Sequence, residues 1–177
     1  MEGPMVGASN VIADDQIRDL LRNGFPAQLH YSVELWSTAG WFDDHNGTVE
    51  WDVIVRYEPL THTYRVARIV GDRVETLGRF EQYPDAVRAA ERPYRAPIRA
   101  PRSRHRQYYK VSLEVEILSL GDLDEVERWL RGELRPAVRG RRNPGTAVTR
   151  GLRTLAVRLL GGEKIQYRQR SSTFRVR

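Results

Sequence analysis

Over residues 28–36, apolar and polar side chains take turns, with Leu29, Tyr31, Val33 and Leu35 on one parity and Gln28, His30, Ser32 and Glu34 on the other. A period of two is the signature of a strand with one face in a core. The same alternation returns in Trp51, Val53, Val55 and Tyr57. It is cleanest in Tyr109, Val111, Leu113, Val115 and Ile117, set against Lys110, Ser112, Glu114 and Glu116. Residues 64–70 and 74–80 flank Gly71-Asp72, which suits a tight hairpin turn, so consecutive strands are expected to form a meander. Asn46-Gly47 carries the type I′ turn signature and predicts a second hairpin just before Trp51. Residues 58–63, which include Pro59, read as a connection.

Helical spacing appears in four places. Asp14 predicts an N-cap for a short helix that places Ile17, Leu20 and Leu21 on one face and stops at Gly24. Residues 85–92 predict a helix carrying Ala86, Val87, Ala89 and Ala90, ended by Pro93. Asp122 and Glu125 have capping-box spacing ahead of Val126, Trp129, Leu130 and Leu134. Residues 146–160 place Val148, Leu152, Leu155 and Leu159 in one stripe with Arg150, Arg153 and Arg158 opposite. The stretches 93–107 and 135–145 read as basic loops. Residues 165–177 alternate through Ile165, Tyr167, Phe174 and Val176, as an arginine-bearing edge strand would. Together these elements predict one α+β domain over residues 1–177. It is mainly an antiparallel β-sheet or β-sandwich, with short helices near the N-terminus, two helices near the C-terminus and a flexible 1–10.

Composition narrows the chemistry. The chain has 177 residues and no cysteine, which removes thiol nucleophiles, cysteine-ligated zinc, iron–sulfur clusters and disulfides. No apolar run reaches the length of a membrane span or a signal-peptide core, so no transmembrane segment is expected. A cytoplasmic location follows if the chain is complete as written, and a periplasmic or envelope one if an export signal has been trimmed. Charge is distributed unevenly. Residues 1–87 hold 7 basic and 14 acidic side chains, whereas residues 88–177 hold 22 basic and 9 acidic. Such a layout points to an anionic surface or an acidic partner, although an arginine-rich codon bias produces the same composition.

Catalytic motifs are scarce: there is no G-x-S-x-G elbow, phosphate-binding glycine loop or H-E-x-x-H. In Trp41-Phe42-Asp43-Asp44-His45, the two carboxylates and the imidazole are candidate ligands for a divalent metal, with His30 and His62 as further histidines. The preferred reading makes the aromatics core and the polar residues the approach to the Asn46-Gly47 turn. Asn46-Gly47-Thr48 also fits a glycosylation sequon and is read as turn chemistry. Arg99, Arg102, Arg104 and Arg106, followed by Tyr108, combine cations for phosphate with a ring for stacking, as in single-strand nucleic-acid binders. Arg139, Arg141 and Arg142 form a second basic cluster. The arginine-bearing helix expected over 146–160 suits peripheral contact with an anionic membrane.

Several segments in order resemble a bacterial family known as domain of unknown function 4390. Leu20-Leu21-Arg22-Asn23-Gly24-Phe25-Pro26 leads into the strand 29–36 and is followed by Trp41-Phe42-Asp43. The strand 53–57 and Pro59-Leu60-Thr61 then lead to Tyr64-Arg65-Val66. The resemblance covers roughly residues 11–92 and departs from the pattern over 119–177. It implies a β-rich, sandwich-like domain, usually exported or envelope-associated, with no established activity or catalytic residues. The expected function is therefore a non-enzymatic binding or scaffolding domain without a cofactor, whose arginine-rich face meets a protein or an anionic surface. Single-stranded nucleic-acid binding is the alternative, and a metal-dependent enzyme at Asp43, Asp44 and His45 is the third reading.

Overall fold

The computed structural model describes residues 2–39, 41–118 and 165–176. Its elements in chain order are β1 (Met5–Val6), α1 (Asp15–Arg22), β2 (Ala27–Ala39), β3 (Phe42–Glu58), β4 (Thr63–Val70), β5 (Arg73–Phe80), α2 (Tyr83–Ala90), β6 (Tyr94–Arg95), β7 (Gln107–Ile117) and β8 (Ile165–Arg170). Six strands make one sheet in the order β5-β4-β3-β2-β7-β8, and β1 pairs with β6 in a small ribbon. Every pairing is antiparallel. The fold is α+β and mainly antiparallel sheet, as the alternation predicts. The helices expected over 122–134 and 146–160 lie outside the described residues.

Register explains which residues are buried. Leu29, Tyr31, Val33 and Leu35 of β2 face the same side as Trp51, Val53 and Val55 of β3, Tyr64 and Val66 of β4, and Tyr109, Leu113 and Val115 of β7. All of these are buried, and the period of two does this work because alternate side chains leave opposite faces of a strand. Onto this face pack α1, through Leu21, and α2, through Tyr83, Ala86, Val87 and Ala90. Stacked and tilted rings extend from the sheet into the covering layer. Tyr31 stacks on Trp51, which meets Tyr94, and Tyr57 meets Tyr64, which meets Tyr83.

Local signals account for the ends of the helices. Asp14 accepts from the Gln16 amide at 2.6 Å, as an N-cap should, and Gly24 (φ 93°) takes the left-handed conformation that stops α1. The second helix runs 83–90 instead of 85–92. Pro84 sits in its first turn, where a missing N–H costs nothing, and Glu91 caps the far end.

Residues 2–12 are bonded to the body of the domain. Besides the β1–β6 ribbon, the buried Glu91 carboxylate accepts from the amides of Asn10, Val11 and Ile12 at 2.8, 2.7 and 3.1 Å. Tyr83 Oη donates to the Ile12 carbonyl. A Cβ on Gly3 would stand 2.1 Å from the Ala96 carbonyl oxygen, so only glycine permits that approach.

The Asn46-Gly47 turn is a correction. The β2–β3 hairpin closes further along, with Ala39 opposite Phe42, and Asn46-Gly47 lies inside β3. There Leu35 pairs with Gly47 and Trp36 with His45, which leaves Asn46 as the extra residue of a β-bulge. Gly47 has φ +155°, a backbone conformation that residues other than glycine rarely adopt. Asn-Gly supplies special backbone geometry in both settings, and here the long alternation of β2 extends the pairing past it.

Candidate functional site

The sheet's second face, opposite the core, buries Ile54, Ala67 and Ile69 and also holds two polar clusters. Near its middle, Asp52 Oδ1 accepts from Gln28 Nε2 at 2.7 Å and lies 2.8 Å from His30 Nδ1, while Glu50 Oε1 is 4.0 Å from His30 Nε2. Gln28, His30 and Asp52 are all buried, so these bonds satisfy groups that would otherwise be costly to desolvate. His30 is therefore engaged with Asp52 on the sheet and does not join Asp43, Asp44 and His45. His62, in the β3–β4 turn, meets Tyr57 Oη at 3.1 Å.

The second cluster lies toward the end of the sheet where the β2–β3 hairpin closes. The bulge at Asn46 shifts parity, so that Asp43 and His45 share a face with Trp36 and Tyr108. Tyr108 Oη donates to Asp43 Oδ2 at 2.6 Å, and His45 Nε2 lies 2.8 Å from Thr48 Oγ1. The Trp36 ring meets His45 edge-on at 5.0 Å and donates through Nε1 to Glu34 at 2.7 Å. Cations cover these rings: Lys110 Nζ sits 4.0 Å from the Trp36 centroid, and the Arg170 guanidinium 3.7 Å from that of Tyr108. Beside them a groove of about 510 Å³ is lined by Glu34, Lys110, Ser112, Gln166, Arg168 and Arg170.

Of the expected metal candidates, Asp43 is engaged by Tyr108, His45 by Thr48, and Asp44 stands opposite Ser37. No group of three or more such ligands is placed to hold a metal among the described residues. The expectation that Trp41 and Phe42 are core is corrected, for they are 98% and 82% exposed. Tyr108 is buried, with one ring face toward Arg170, so a base stacking there would have to displace the guanidinium. Burial, and then the bond to Asp43, hold its phenol above the usual tyrosine range.

The basic stretch 93–107 begins with β6 and continues as an extended, anchored segment. Ala96, Ile98 and Ala100 turn into the core while Arg99, Arg102, Arg104 and Arg106 are exposed. One end is held by the Ala96 amide on the Pro4 carbonyl at 3.0 Å, the other by the Thr38 amide on the Arg106 carbonyl at 2.8 Å. That second bond brings the arginine segment to the closing end of the β2–β3 hairpin. The C-terminal segment arrives at the same place, because Phe174 bridges Gln107. Arg139, Arg141 and Arg142 lie outside the described residues.

Sequence reasoning missed Lys110, Arg168, Arg170 and Arg175 as members of this surface, and Trp41 and Phe42 as exposed. A signal for the β8 pair was present, since Arg168 and Arg170 share one parity. Which strand would lie beside β8 could not be read from it.

These residues define an α+β domain built on a six-stranded antiparallel sheet and a two-stranded ribbon, with α1 and α2 on one face of the large sheet and a cation-rich, aromatic end. A family model described as a domain of unknown function, DUF4390, matches residues 9–125, more than half of the chain. The chain belongs to that family. The match runs beyond residue 92, through the arginine segment and all of β7. None of the curated proteins and none of the solved structures matches the chain. Among the described residues, no helix is long and apolar enough to cross a membrane.

Proposed function

We propose that this protein is a non-enzymatic binding domain of the bacterial cell envelope, and that it meets an anionic partner with the hairpin-closing end of its sheet. One observation carries this reading. Hydrogen bonds and strand register bring exposed Arg106, at the end of the 99–106 segment, and exposed Arg170 and Arg175, from a distant part of the chain, to the half of the sheet where the β2–β3 hairpin closes and carries exposed aromatic rings. Cations spread along a solvated coil would be unremarkable. Here the Arg106 end is pinned to β2, and Arg168 and Arg170 are held on a strand, so less ordering entropy is lost on binding. The polar groups of the hairpin, Asp43 and His45, bond to neighbouring side chains and in this reading are structural.

The test is retention of the whole chain on heparin, and on vesicles with and without an anionic lipid, across a salt series. Binding should weaken steeply with salt. It should fall at least about tenfold when Arg102, Arg104, Arg106, Arg141 and Arg142 are replaced together by alanine. Unchanged retention in that variant would remove the proposal.

A further inference from the structure

The β2–β3 hairpin carries two large apolar side chains, Trp41 and Phe42, on its exposed tip. Trp41 is 98% and Phe42 82% exposed, adjacent in sequence and at the point where the hairpin closes. The hairpin overhangs its neighbours. Pairing with β4 ends at Asp52, and on the β7 side the last backbone bond is that of Thr38 to Arg106, so Ala39, Trp41 and Phe42 stand beyond both flanking segments. At about 3.3 Å per residue, the overhang past Thr38 is one residue's rise before the turn. The pair is therefore convex and projecting, not the floor of a groove.

Cations lie along the β7 side of its base. The Arg106 carbonyl binds the Thr38 amide, one residue before Ala39. Arg175 follows Phe174, whose backbone bridges Gln107, itself opposite Ser37. Both arginines thus branch from backbone within about two residues' rise of the tip, and Arg102 and Arg104 lie on the segment leading to Arg106. On the acidic side, Asp43 is held by Tyr108 Oη, whose ring lies under Arg170, while Asp44 is exposed opposite Ser37.

We propose that the hairpin tip is a membrane anchor: Trp41 and Phe42 enter the interface of a lipid bilayer containing anionic lipids while Arg106 and Arg175 lie at the level of its headgroups. The proposal rests on the anionic-partner reading above and names that partner. Trp favours the bilayer interface, where its ring is apolar and its indole N–H stays hydrated. Phe42 adds apolar area, and arginines near the surface gain from its negative potential. A projecting aromatic pair needs a phase that deforms around it. A protein partner would need a matching pocket, and a nucleic acid would need ring faces inside the cationic groove, where Trp36 and Tyr108 are already covered.

The experiment compares the parent chain with W41S/F42S and W41F on phosphatidylcholine vesicles with and without phosphatidylglycerol, alongside heparin. The tip residues make no core contacts, so thermal unfolding should be unchanged in both variants, which serves as the folding control. Expected results are co-sedimentation with phosphatidylglycerol vesicles that drops at least about tenfold in W41S/F42S and persists in W41F. Lipids brominated near the headgroup should quench tryptophan emission in the parent, and that component should vanish in W41F although other tryptophans remain. Heparin retention should be equal in all three. Vesicle binding unchanged in W41S/F42S, or no quenching specific to Trp41, would overturn the anchor while leaving arginine-dependent anion binding intact. Retention on heparin with none on vesicles would do the same. Failure on both would overturn the anchor and the broader reading together.

Discussion

Glu91 shows how one side chain can hold a chain terminus. Its carboxylate is buried, and three successive amides point at it, so removing it would strip a charged acceptor from three donors at once. Each such bond contributes of order 1–3 kcal/mol when its partner would be left unsatisfied. Because water can reach part of the site, Glu91→Ala should cost about 3 kcal/mol in urea unfolding, with Glu91→Gln, which keeps one acceptor oxygen, costing less. Tyrosines set the alkaline limit. Burial raises the phenols of Tyr31, Tyr83, Tyr108 and Tyr109 above their ordinary value. The unfolded chain then loses these protons near pH 10 while the folded chain keeps them, so the unfolded state binds fewer protons above that pH. Their contribution is complete below about pH 10 and is lost as pH rises through the higher native values. Absorbance titration should show these four phenols ionising only together with loss of tertiary circular dichroism. Little of this was legible beforehand. The burial of Tyr31 and Tyr109 follows from parity, but the partners of Glu91 lie some eighty residues away, and no local pattern encodes that distance.

Secondary elements were readable where one face alone is buried. β2, β4, β5, β7 and α1 appear close to where periodicity and capping place them, because a one-residue slip would turn every core side chain to the other face. The β2–β3 hairpin escaped for a physical reason. Asn-Gly provides unusual φ values in a bulge as readily as in a turn, and only the pairing of Trp36 with His45 decides between them. Gly47→Ala should therefore destabilise the fold by about 1–3 kcal/mol, the usual cost of forcing a side chain into so sparsely populated a conformation. Chemical denaturation reads this directly. Replacing Trp41 and Phe42 by serine should shift unfolding by no more than about 0.5 kcal/mol, as at other exposed positions without core contacts. That pair of variants separates two roles within one hairpin: its bulge specifies geometry, and its tip is free for contact.

Across the whole molecule, the uneven charge of the sequence becomes spatial. Arginines from 99–106 and from the C-terminal segment reach one end of the sheet through the order β2-β7-β8. Charge counting anticipated the basic half, and the lysine and arginines of β7 and β8 joined it only once their neighbours in the sheet were known. Bulk association with anionic surfaces should show a salt slope that shrinks as arginines are removed, since each contact screened by salt contributes its own share. The N-terminal ribbon then takes on a remote influence. Pro4 and Gly3 grip the backbone at Ala96, so the first residues of the chain act as a leash on the start of the arginine segment. Deleting residues 1–7 removes no arginine and even removes the acidic Glu2, yet it would let that segment sample many shapes and would weaken anion binding through the ordering entropy then lost on binding. The charge that does the attracting and the tether that keeps it in place are separated by almost the full length of the arginine segment, and they can be mutated independently.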